Sequence, residues 1–107
     1  MSLNSYRAKI ERLTRQKQTL EANIAKENKQ IFQLQAHIFS ISHSIKVNRR
    51  SNIHKSKLRR INSKQKIVDR RQKRILRLES RLADKMLALG RNLKILNRIE
   101  TRQQRRS

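Results

Sequence analysis

The sequence predicts an all-α fold, an antiparallel helical hairpin (coiled coil) of two long helices that is open to oligomerisation. Three observations predict it. Leu and Ile recur on alternating three- and four-residue steps, the period of a left-handed seam. One Gly and no Pro leave the 107 residues almost without helix breakers. One Tyr, two Phe and no Trp cannot anchor an ordinary globular core, so the chain must stabilise itself through long helix contacts.

The first helix is expected over residues 1–47. Its a column reads Leu3, Ile10, Lys17, Ile24, Ile31, Ile38 and Ile45, and its d column Tyr6, Leu13, Leu20, Glu27, Leu34, Ile41 and Asn48. Lys17 and Glu27 interrupt the stripe, where a charge costs stability and can fix register. In a hairpin bent near residue 50, Glu27 lies opposite Arg71, Lys73 and Arg74 and could pair with them. The competing reading has both charged side chains reaching outward to water. Ala25, Phe32 and Phe39 form a column one step beyond the seam. Two helices cannot bury both faces, so self-association through that column is expected.

Residues 48–53 are expected to turn. "NRRSN" combines poor helix formers with the cap candidates Ser51 and Asn52. The register also fails here, because Asn52 and Lys55 occupy the next a and d positions. Ile45 and Ile61 are sixteen residues apart, which is no multiple of seven. A turn at this point gives two arms of similar length, as an antiparallel hairpin needs. Against it stand Lys55, Lys57, Arg59 and Arg60, on the wrong side of the second helix's dipole. One unbroken helix and a multi-helix bundle are the alternatives.

The second helix is expected over residues 54–104, on a new apolar column of Ile61, Val68, Ile75, Leu82, Leu89 and Leu96. Its flanks are mixed, with Leu58, Met86 and Leu93 on one side and Leu78 and Ile99 on the other. Gly90 is expected to ease a close contact or a local bend.

Charge is the second message of the sequence. Lys and Arg total 29 against seven Asp and Glu, a net charge of +22. Residues 1–47 hold eight basic and three acidic side chains, net +5, and residues 48–107 hold twenty-one and four, net +17. Such a field attracts polyanions. The candidate contacts are Arg49, Arg50, Lys55, Lys57, Arg59, Arg60, Arg70, Arg71, Lys73, Arg74 and Arg77. On DNA or RNA they would neutralise phosphates with strong salt dependence and little sequence preference. The three aromatics all lie in the first helix, which argues against base stacking. Basic residues are mixed into the second stripe, which argues against the major-groove reading of a leucine-zipper factor. A membrane surface is disfavoured, because the basic helix carries no aromatic anchors. An acidic protein partner fits the same field.

Catalysis finds no foothold. The seven acids are scattered, and His37, His43 and His54 are six and eleven residues apart, not the i, i+4 spacing of a helical metal pair. No Cys, P-loop or nucleophile elbow is present. No enzyme activity, cofactor or metal is expected. Without a signal-peptide run or a stretch of roughly 20 apolar residues, a cytoplasmic location is expected.

Residues 51–61 match an "S-x-I-x-K-S-K-x-R-x-I" pattern through Ser51, Ile53, Lys55, Ser56, Lys57, Arg59 and Ile61, and Leu82, Ala83, Asp84 and Lys85 form an "L-A-D-K" stretch. Taken together, these features resemble the N-terminal coiled-coil regions that precede TIR (Toll/interleukin-1 receptor) or other effector domains in bacterial defence and signalling proteins. Those regions balance Lys with Glu, whereas this chain is far more basic. The resemblance implies a helical assembly module, and no residue here inherits an effector's chemistry. Two functions are therefore expected in competition. One is a non-catalytic interaction or oligomerisation module that docks a protein partner or assembles an effector. The other is a nucleic-acid-binding protein working through its second helix.

Overall fold

The computed structural model describes residues 2–47 and 51–106, with side chains described outside residues 46–53. It is all-α. Helix α1 spans Leu3–Val47 and helix α2 spans Ser51–Arg106, in contact with each other as a helical hairpin. Ser51, Asn52 and Ile53, expected in the turn, belong to α2, which also runs two residues past the expected end at 104. Neither Pro nor Gly stands at these positions, so nothing stops the backbone from adding helical hydrogen bonds. The rest of the expected turn, residues 48–50, lies outside the described residues.

The N-terminus of α1 is capped by Ser2. The Ser5 backbone N–H donates to Ser2 Oγ at 3.2 Å, the geometry of an N-cap side chain meeting the third helical residue. At the far end of α2, Arg105 and Arg106 suit the negative pole of the helix.

Two compact units divide the hairpin. One is built from Met1–Asn23 and Leu78–Ser107, the other from Ile24–Arg77. In the central unit, Ile31, Val68 and Ile75 form the buried core, with Ile24, Leu34 and Ile38 packed against it. Val68 is wholly enclosed. Burial of side chains this size stabilises by about 1.5–3 kcal/mol each. The two segments run antiparallel here, since Ser44 meets Lys57 while Glu27 meets Arg71 and Arg74. In the terminal unit Leu13 is buried. Arg7 donates to Glu100 Oε1 at 3.2 Å while residues 12–20 share a groove with residues 81–88, so the segments of that unit run antiparallel too.

Every described member of the two expected seams is buried or half-buried, from Leu3 to Ile45 and from Ile61 to Leu96. The mixed flanks of the second stripe resolve to one side. Leu78 and Ile99 turn inward, whereas Leu58, Met86 and Leu93 stay exposed.

Gly90 departs from expectation. It lies in regular helix without a positive φ, and a Cβ built on it would meet nothing within 4 Å. No close contact needs it. Gly90→Ala is therefore expected to stabilise the protein by about 0.8–1 kcal/mol, the helix-propensity difference, seen as a raised midpoint in thermal melts followed by circular dichroism. Ile75→Asp is expected to unfold the central unit, since it puts an unpaired carboxylate in the core, seen as loss of helical signal.

Candidate interaction faces of the hairpin

Three residues after each apolar residue of the second stripe comes another inward position. That second column reads Lys57, Lys64, Arg71, Leu78, Lys85, Asn92 and Ile99, and all seven are buried or half-buried. The seam of α2 is thus apolar on one column and mostly cationic or polar on the next. Sequence reasoning found only Leu78 and Ile99 of this column as a flank and missed that its polar members turn inward with them, although the regular three-residue offset from Ile61, Val68, Leu82 and Leu89 was a usable signal.

Several of the inward polar groups have a local partner. Lys57 donates through Nζ to Ser44 Oγ. Asn92 is buried and donates its amide to the Ala88 carbonyl at 2.7 Å. Lys17, the charge in the first stripe, reaches along its own helix to Glu21 at 3.7 Å.

Glu27 takes the inward alternative. Its side chain is only 10% exposed, and Arg71 and Arg74 each donate to one of its oxygens, at 3.0 and 3.2 Å. Burial raises the carboxyl's pKa, but the two guanidinium hydrogen bonds and their charges outweigh it, so the value falls below the ordinary one. Lys73, the third expected partner, points to solvent. Arg71 Nε is buried and has no hydrogen-bond partner among the described residues, so the pairing is incomplete on the Arg71 side.

The candidate polyanion contacts separate accordingly. Lys55, Arg59, Arg60, Arg70, Lys73, Arg74 and Arg77 are exposed, whereas Lys57 and Arg71 are turned into the hairpin. Arg49 and Arg50 lie outside the described residues. Arg70, Lys73, Arg74 and Arg77 surround a depression of about 380 Å³ beside Ile67 on α2. No described acid pairs with Arg70, Lys73 or Arg77, and Arg74 keeps 66% of its side chain in water while holding Glu27. No family model, curated protein or solved structure matches the chain. The faces must therefore be read from their own chemistry.

The central unit also carries a face of opposite character. Phe32 and Phe39 are 72% and 74% exposed, and Gln30–Ile45 around them contains no Lys, Arg, Asp or Glu. In a chain of net charge +22, this sixteen-residue window is uncharged. On α2, Leu58 and Leu76 are exposed too, in columns whose other central members are Gln65, Gln72, Asn62 and Asp69. By register they flank the seam on the side away from Ile67 and Arg74. One flank of this unit is cationic and the other nearly neutral. His37 and His43, in the uncharged window, are both exposed. No helix among the described residues is long and apolar enough to cross a membrane.

The Glu27 cluster yields a prediction with a definite sign. A carboxyl whose folded pKa is lowered contributes stability above its ordinary range and loses it as pH falls through the folded value. Glu27→Gln is expected to cost about 1 kcal/mol near neutral pH, at the low end because Arg71 and Arg74 remain partly in water. The gap between variant and wild type should narrow as pH falls below the ordinary glutamate range and close as the wild-type carboxyl protonates. Urea titrations across that range measure it.

Proposed function

We propose that this protein is a non-catalytic helical-hairpin interaction module that self-associates and docks a protein partner. The observation that carries the reading is the exposed Phe32–Phe39 column at the centre of the uncharged Gln30–Ile45 window. Elsewhere a second copy meets dense positive charge and is repelled. At this window it meets aromatic and amide side chains, whose burial is favourable. A face with its own symmetric partner closes into a dimer rather than a filament. The resemblance to coiled-coil regions ahead of bacterial effector domains supports a setting in defence or signalling assemblies.

Analytical ultracentrifugation tests this. Wild-type protein is expected to gain mass with concentration, while Phe32→Gln/Phe39→Gln stays monomeric with unchanged helicity. A wild type that is monomeric at high concentration overturns self-association.

The exposed arginines favour a second reading, nucleic-acid binding through phosphates. Arg70, Arg74 and Arg77 span two turns, about 10.5 Å along α2, and each is free to reach solvent. If they contact duplex DNA, Arg70→Gln/Arg77→Gln should flatten the slope of log affinity against log salt by about 1.8, two contacts at roughly 0.9 each. Absence of binding at low salt removes this reading.

A further inference from the structure

The terminal unit contains an open groove of about 650 Å³ between residues 12–20 of α1 and residues 81–88 of α2. Its origin lies in the seam. Lys85, half-buried, stands at an inward position of α2 where Leu78 and Ile99 of the same column are apolar, and it lines the groove. Ala88, on the flank, is too small to close the space. The groove has a floor of half-buried Leu20 and Ala88 over the buried Leu13, and a rim of Arg12, Arg15, Arg81 and Lys85. Asp84 is the acid among the lining residues. Arg15 is shared with Glu11 on its own helix at 2.9 Å, an exposed pair that solvent screens.

We infer that this groove docks an acidic amphipathic helix of a partner protein, laid along the hairpin as a third helix. The inference rests on the module reading and names the kind of partner. Two antiparallel helices offer a third one the holes between their side chains. Leu13 and Leu20 are one heptad apart, the repeat at which Leu or Ile anchors recur on an incoming helix. Rim charge then selects the occupant. Four cations against one acid reward Glu and Asp beside those anchors and repel Lys and Arg. A second copy of this chain does not fit, because both its halves are net positive, +5 and +17. Polyglutamate or a nucleic acid answers the rim but leaves the apolar floor wet.

The probe is a labelled 21-residue peptide with Leu at a and d and Glu at e and g, read by fluorescence anisotropy with the full chain near physiological salt. Its controls are a scrambled peptide of equal composition and polyglutamate of equal charge. The amphipathic peptide is expected to bind at least tenfold tighter than either control. Ala88→Trp, which fills the floor, should weaken it at least tenfold with helicity and melting retained. Thr19→Trp, from the facing helix, should do the same, so the result does not depend on one variant folding. Phe32→Gln/Phe39→Gln should leave peptide binding unchanged. Absence of binding, equal binding of the scrambled peptide or polyglutamate, or indifference to both Trp variants overturns the groove assignment. If the wild type self-associates while the peptide fails, the module reading stands and this inference falls. If the peptide binds as described to a chain that stays monomeric, self-association is the part that falls.

Discussion

A seam that is apolar on one column of α2 and mostly cationic or polar on the next constrains the helix contact. Val68, Ile75 and their heptad relatives supply the burial, and Lys57, Lys64, Arg71 and Lys85 stand beside them facing α1. Only their stems can be buried cheaply, so each charged end must find an oxygen or reach water. Ser44 and Glu27 supply oxygens in the central unit. The Glu27 cluster also carries positional information. A carboxylate enclosed by two guanidinium groups disfavours a register slip, since a shifted helix would strand a buried charge.

Other features follow from the same constraint. Beside Lys85, in the terminal unit, the helices leave a groove that Arg12, Arg15 and Arg81 also line. At Glu27 the two arginines divide the work, Arg71 turned into the hairpin and Arg74 mostly in water. Arg74 holds Glu27 and still faces solvent. The basic character of α2 is therefore part of the helix contact as well as an exterior coat.

Charge is also unevenly shared around the central unit. The Arg70–Arg77 face has too few acids to neutralise it, and the Phe32–Phe39 face has almost no charge at all. Physical chemistry assigns them different company. Like-charged copies approach where the field is weakest, and anions approach where it is strongest. The central unit thus carries a cationic flank and a nearly uncharged one, and the two offer different physical chemistry to whatever approaches them.

Periodicity and composition alone indicated the two helices and their apolar columns, and named Arg71, Lys73 and Arg74 as partners for Glu27 if it turned inward, with the outward alternative left open. A heptad stripe is a local property, and its repeat survives any tertiary arrangement. The surplus of positive charge was equally legible. Tertiary structure decided which flank of the second stripe turns inward, because Leu78 and Ile99 compete with Leu58, Met86 and Leu93 for one facing surface. It decided that Lys57 and Arg71 serve the hairpin while Arg70 and Arg77 face water, a distinction between neighbours that composition cannot make. It also decided that Glu27 is enclosed while Lys17 reaches along its own helix. The reason is common to all three cases. A side chain's role depends on the atoms across the helix contact, and those belong to residues tens of positions away in the chain.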